Sequence, residues 1–291
     1  MEKGSRTMNV ASPIQSVFHP TDFSLASEVA FICALKIALA AKAELSVIHY
    51  AEQGVVTSWD YFPKVREILA NWDILSPGCS ESELTNLGLR VEGIIATGPD
   101  ACSSLVQHLN QKNPDLMVLA THQIEGLNRW LETPVAEPLA REARCPTIFV
   151  PPFAKERVVS YQDGTVTLER ILIPVTRVIP PQLAIDYAVN LAKLLDVNTI
   201  EWKIFHVGKK EDIPALYLPT HEGWKWEKLA RPGHPVDQLL EMAAEFSPQL
   251  IVMMTEGHRG LFDVLQGSTT ERIVRGVRCP VLAVPVVSPD E

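Results

Sequence analysis

Three observations predict that this chain folds as two copies of one α/β domain, each built around a parallel sheet. First, a stretch near the middle recurs near the end: Pro114 to Pro151 laid on Pro248 to Pro285 without a gap agrees at 14 of 38 positions. Thr121 falls on Thr255, Gly126 on Gly260, Arg144 on Arg278, and Cys145-Pro146 on Cys279-Pro280. Second, short β-branched and aromatic runs alternate with longer segments of helical periodicity in both halves, the order that builds parallel sheets. Third, the length of 291 residues divides into two domains of ordinary size.

The first half opens with a strand over Ser16 to Pro20 and a helix over Ser24 to Ala43, where Val29, Phe31, Ile32, Leu35, Ile37 and Leu39 hold helical spacing. Further strands are expected over Glu44 to Tyr50, Leu89 to Ala96, Leu116 to Ala120 and Thr147 to Val150, with helices over Pro99 to Leu109 and Val135 to Ala143. An insertion, Ala51 to Asn86, separates the second and third strands, and Tyr61 to Trp72 inside it reads as helical. The second half repeats the order: strands over Arg170 to Pro174, Thr199 to Val207, Trp224 to Leu229, Leu250 to Met254 and Val281 to Val287; helices over Pro181 to Leu195, Val236 to Phe246 and Thr269 to Val277. Between the halves, Pro151-Pro152 stops the preceding strand. Val158 to Tyr161 and Thr165 to Leu168 then flank Asp163-Gly164, a dipeptide suited to a tight turn. The expected division is a first domain over residues 1–151, a linker hairpin over 152–169 and a second domain over 170–291.

Composition narrows the function classes. A chain 46% hydrophobic and 21% charged is of the ordinary globular kind. The longest apolar stretch, Phe31 to Ala41, is interrupted by Lys36 and falls short of the roughly 18 residues a membrane span needs. The start of the chain lacks the apolar segment of a secretory signal, so a cytoplasmic protein without membrane attachment is expected. Five cysteines, scattered and without a C-x-x-C pair, argue against a disulfide framework or a zinc site. A net charge of −9 argues against nucleic acid as the main partner. Neither H-E-x-x-H nor G-x-S-x-G occurs, so metal-dependent and acyl-transfer chemistry lack sequence support.

The residues that can carry chemistry follow the fourth strand of each half. In the second half that strand leads through Gly257 to Gly267-Ser268-Thr269 at the start of a helix. Glycine lets backbone approach a ligand, and the free N–H groups of a helix start attract anions. The plainer reading is a turn and a helix cap, since serine and threonine favour that position in any case. In the first half the same alignment puts Gln123, Thr133, Pro134 and Val135 there, and Pro134 removes one N–H that a phosphate would use.

Pro20-Thr21-Asp22-Phe23-Ser24, Asp115-Leu116-Met117-Val118, Gly257-x9-Gly267-Ser268 and the Arg278-Cys-Pro-Val-Leu-Ala-Val ending together resemble the universal stress protein family, over about Ser16 to Pro151 and Arg170 to Val287. The resemblance implies two tandem Rossmann-like α/β domains, each a five-stranded parallel sheet of order 3-2-1-4-5 flanked by helices. It also implies, in members that bind nucleotide, an ATP site at the carboxyl ends of strands one and four, the usual ligand position in open α/β sheets. There an aspartate after strand one contacts the nucleoside and a G-2x-G-9x-G-[S/T] loop holds the phosphates.

Neither half carries the whole set. The first has Asp22 without the loop; the second has Gly257, Gly267, Ser268 and Thr269, with Thr176 in place of the aspartate and Met254 in place of the first glycine. Arg259 and His258 could face the phosphates and Glu256 would oppose them, while Asp22 could equally cap its helix. His49 and His206, which end the second strand of each half, read as structural hydrogen-bonding residues, and Cys145 and Cys279 as small buried ones.

The expected function is a cytoplasmic stress-response protein that binds ATP, with Mg, in the second domain only and is not an efficient enzyme. Slow hydrolysis would have only Glu256 or His258 as a base. The competing reading is a nucleotide-independent scaffold working through regulatory protein partners. The resemblance also implies pairing of the apolar last strand with that of a second copy, so Thr147 to Val150 and Val281 to Val284 are expected to pair within one chain as a pseudo-dimer that covers exposed strand edges, which leaves a further homodimer open.

Overall fold

The computed structural model describes residues 13–52, 57–121, 139–140, 142–152, 158–255 and 269–286. The first domain runs β1 (Ser16–Pro20), α1 (Leu25–Ala41), β2 (Glu44–Tyr50), α2 (Val65–Asn71), α3 (Glu81–Asn86), β3 (Arg90–Ala96), α4 (Ala101–Lys112), β4 (Leu116–Ala120) and β5 (Thr147–Val150). The second runs β6 (Arg170–Pro174), α5 (Gln182–Leu194), β7 (Ile200–Val207), β8 (Trp224–Arg231), α6 (Pro235–Phe246), β9 (Leu250–Thr255), α7 (Thr269–Gly276) and β10 (Val281–Pro285).

Local chemistry sets these boundaries. Ser24 caps α1, its hydroxyl accepting the Ser27 N–H at 3.2 Å, and Lys42 ends the helix in the left-handed conformation. Asp100 caps α4 through the Ser103 N–H at 2.8 Å, and Pro235 occupies the first turn of α6, where its missing N–H costs nothing. The residue just before each fourth strand anchors the first: Asp115 accepts the Ser16 N–H at 3.0 Å, and Gln249 accepts the Arg170 N–H at 2.7 Å. The repeat's shared threonines make twin bonds, Thr121 to the Val150 carbonyl and Thr255 to the Val284 carbonyl, at 3.5 and 3.4 Å.

All ten strands form one sheet of order β3-β2-β1-β4-β5-β10-β9-β6-β7-β8. Within each domain this is the expected 3-2-1-4-5, and every neighbouring pair inside a domain is parallel. At the centre β5 and β10 pair antiparallel, placing Phe149 opposite Val281, Ile148 opposite Leu282 and Thr147 opposite Ala283. The two five-stranded sheets are thus merged. Helices α1 and α5 cover one face of this sheet, and their core runs unbroken from Val17 through Ile148 and Leu282 to Ile204. On the other face α4 covers the first domain and α6 with α7 the second. Strands β4, β5 and β10 are buried along their whole length, which is why they read as continuous apolar runs rather than alternating ones.

The insertion departs from expectation. Tyr61 to Trp72 is not a continuous helix: a 3-10 turn over Trp59–Tyr61 stops at Phe62, which is extended at φ −65° and ψ 145°, and α2 begins only at Val65. Pro63 explains the break, because its ring pushes the preceding residue out of the helical region. Helix α3 was not expected at all; Glu83 reaches back to accept the Ser80 N–H at 3.1 Å and starts it. The linker's turn is a hairpin of one bridge, Val159 with Val166, closed through Gly164 at φ +67°. It is fastened to the insertion by the Trp72 indole N–H, which donates to the Tyr161 carbonyl at 3.1 Å, and to α1 by the Tyr161 hydroxyl, which donates to Glu28 at 2.7 Å.

Candidate functional site

The carboxyl ends of β6, β7 and β9 and the first residue of α7 enclose a cavity of about 430 Å³. That size lies within the roughly 300 to 1,000 Å³ of small-molecule sites. Val175, Phe205, Met253 and Met254 give it apolar walls, and Thr176, His206 and Thr269 bring polar groups to it. Thr176 and Thr269, more than ninety positions apart in sequence, are therefore brought to one site. A larger hollow of about 860 Å³ lies along the insertion, between α2, the Pro77–Cys79 turn and β3. None of the sequence-predicted site residues lines it, and the cavity at the strand ends is the one that matches the fold's ligand position.

Each wall has a local cause. Thr176 turns inward to its own loop, its oxygen accepting the Ile179 N–H at 3.3 Å. Arg177 points away along the surface and binds the short helix Lys210–Asp212 three ways: Nε to the Asp212 carbonyl at 2.9 Å, a terminal nitrogen to the Glu211 carbonyl at 2.6 Å, and the other to the Asp212 carboxylate at 3.1 Å. Gln182 adds a two-way link, donating to the Tyr217 carbonyl at 3.1 Å and accepting its N–H at 2.9 Å. The loops after β6 and β7 are thus bolted together beside the cavity. Asp212 is the one carboxylate among the described lining residues, and Arg177 holds it. A Mg ion would therefore reach this site on a ligand's phosphates, without a free carboxylate from these residues to receive it.

The first domain fills the equivalent place. Asp22 is exposed, and its carboxylate accepts the Ser24 N–H at 2.9 Å and the Ser27 hydroxyl at 2.6 Å, so it holds the entry to α1. Phe23, which corresponds to Arg177, adopts the left-handed conformation at φ +61°, uncommon for a bulky residue. Its ring stacks on His49 at 4.2 Å and meets Phe62 edge-on at 5.2 Å. Trp59 packs on Phe62 in turn, so the insertion closes the carboxyl ends of β1 and β2 with aromatic side chains.

Both strand-ending histidines are structural pins, as expected: His49 holds the Thr21 carbonyl and His206 the Val175 carbonyl through Nδ1, each at 2.9 Å. Cys145 and Cys279 are buried, and burial pushes the Cys145 thiol up to about 12, far from a reactive thiolate. Gly257, Arg259, Gly267 and Ser268, with Glu256 and His258, lie outside the described residues, as do Gln123, Thr133, Pro134 and Val135. Sequence reasoning missed Phe23 and Arg177, whose opposite paths distinguish the two domains. The signal was present in their shared position one residue after Asp22 and Thr176.

An open α/β sheet doubled about an antiparallel seam, with a cavity at the carboxyl end of one half and aromatic side chains at that of the other, defines a tandem α/β protein of Rossmann-like type. The chain belongs to the universal stress protein family, whose model matches residues 14–151 and 207–285. It is similar to a universal stress protein of Methanocaldococcus jannaschii, 27% identical over 150 residues, spanning 42% of this chain and 85% of that one. In fold it is similar to a universal stress protein from Archaeoglobus fulgidus, at TM-score 0.59 and 17% identity, covering 93% of this chain and 98% of the other. A Pseudomonas aeruginosa protein of unknown function matches at TM-score 0.62 and 14% identity over 94% and 92%. The family match resumes only at residue 207, beyond the β6–β7 segment where Thr176 replaces aspartate.

Proposed function

We propose that the chain is a cytoplasmic stress-response regulator whose second domain binds ATP or a related adenine nucleotide, and that it works as a binder and not as an efficient enzyme. The observation that supports this reading most directly is the cavity at the ends of β6 and β9, which joins Thr176 to Thr269 at the start of α7. Its apolar walls suit a nucleoside, and the positive end of α7, preceded in sequence by Gly267-Ser268, suits phosphate. The test is to purify the protein without added nucleotide, identify any released small molecule by mass, and titrate the stripped protein with Mg-ATP by calorimetry. Micromolar binding that Gly267→Trp abolishes is the expected result. No heat at millimolar ATP would leave a scaffold. Phosphate release at more than a trace, lost in the same variant, would make the protein an enzyme.

A second reading applies to the first domain. Phe23 and the insertion's aromatic residues fill the place a nucleoside would need, which favours a nucleotide-independent role there, through regulatory protein partners. Phe23→Ala should leave the stoichiometry at one ATP per chain; two would show that the aromatic filling alone had excluded it.

A further inference from the structure

We infer that His206 is the residue that reads the ligand in the second domain: its Nε2 accepts a hydrogen bond from an N–H or O–H of the nucleoside, the acceptor role lost where Thr176 replaces aspartate. This rests on the nucleotide reading proposed above and makes it more specific. His206 is 8% exposed and lines the cavity. Its Nδ1 lies 2.9 Å from the Val175 carbonyl, and a carbonyl only accepts, so Nδ1 carries the proton and neutral Nε2 presents a lone pair.

Gly208 keeps that lone pair uncovered. It sits at φ +151°, outside the range of ordinary side-chain-bearing residues, and a Cβ there would lie 2.6 Å from Nε2. The Gly208 N–H is fixed to the Arg231 carbonyl at 2.8 Å, so the loop holds this shape. Two other side-chain acceptors on the wall are already engaged: Thr176 accepts the Ile179 N–H, and Asp212 faces Arg177. A ligand donor that pairs with this lone pair inside the cavity gains affinity, and a ligand without a donor there forgoes that bond.

The first domain supplies the contrast within the same chain. His49 makes the same Nδ1 bond, but Phe23 lies on its ring at 4.2 Å. In the second domain the equivalent Arg177 is drawn off to Glu211 and Asp212, leaving the His206 side of the cavity open. The repeat therefore offers its histidine to a ligand once.

The test compares ATP with purine-riboside triphosphate, 2′-deoxy-ATP and 3′-deoxy-ATP, each lacking one donor group, on wild type and His206→Asn. Asparagine keeps an N–H near the Nδ1 position for Val175 and removes Nε2. One analogue should bind wild type about tenfold more weakly than ATP, and that ratio should fall to about one in His206→Asn. Equal ratios in both proteins, or unchanged ATP affinity in His206→Asn, would overturn the inference. Should that variant fail to fold, nitrogen NMR of histidine-labelled wild type decides: the His206 Nε2 resonance must shift when ATP is added, and a static resonance overturns it. Wild type that binds ATP without these effects refutes the His206 role alone. Wild type that binds no ATP refutes the nucleotide reading and this inference with it.

Discussion

At the scale of single residues, burial decides which polar groups titrate. His19 is fully buried on β1, its Nδ1 donating to the Val118 carbonyl at 2.9 Å while Nε2 has no partner. Burial lowers its pKa from 6.5 to about 4. Between those values an unfolded chain takes up a proton that the folded one refuses. The histidine therefore imposes no penalty above pH 6.5, and stability falls as pH drops through the window, by about 3 kcal/mol in all. His19→Leu should flatten this part of the profile, read as urea midpoints at pH 7, 5.5 and 4; an unchanged slope would show that His19 is not its source. Thr176 makes a second prediction. Thr176→Asp should tighten adenosine binding by about tenfold in calorimetry, because a charged acceptor roughly doubles a hydrogen bond. The sequence singled out Thr176, which lines the cavity, yet it could not show that its oxygen is already used by Ile179. The direction of Phe23 and Arg177 was equally hidden, since it depends on partners 26 to 39 positions away, His49, Phe62, Glu211 and Asp212.

At the scale of elements, the linker hairpin acts as a strap. Gly164 has φ +67°, and a Cβ on it would lie 2.5 Å from the Trp72 ring. A side chain there pays for the left-handed conformation, about 1 to 2 kcal/mol, and must also displace the indole. Gly164→Val should therefore destabilise by at least about 2 kcal/mol in chemical denaturation, with the Trp72 contact to Tyr161 broken. A smaller loss would show that the hairpin can lift away freely. Strands and long helices were readable from periodicity because burial enforces it: every residue of β4 and of β10 is inside. The insertion was not readable in the same way. There one proline and one serine–glutamate pair set the boundaries against a continuous-looking pattern, and the aromatic packing that gives the segment its purpose is long-range.

At the scale of the whole molecule, the seam joins the two domains through one sheet and one core. Ile148 and Leu282, paired across β5 and β10, are 1% and 2% exposed, and both belong to the core that runs through the two halves. Ile148→Ala should cost about 2 to 4 kcal/mol. Hydrogen exchange should quicken in β9 as well as in β4; a change confined to the first domain would mean that the halves unfold independently. The outer strands β3 and β8 carry Arg90, Glu92, Lys225, Glu227 and Lys228, charges that discourage pairing with another sheet. The family resemblance, applied to a repeat within one chain, made the pairing of the last strands foreseeable, but the direction of pairing came only with the structure.

That direction has a geometric result. Because β5 and β10 run oppositely and each domain's strands follow its own last strand, the carboxyl ends of the two halves face opposite rims. The open cavity looks out from one rim and the aromatic cluster of Phe23, Trp59 and Tyr61 from the other. On the reading proposed above, a protein grasping the aromatic rim would leave the mouth of the cavity clear, like a double-ended plug held by one end with the other free.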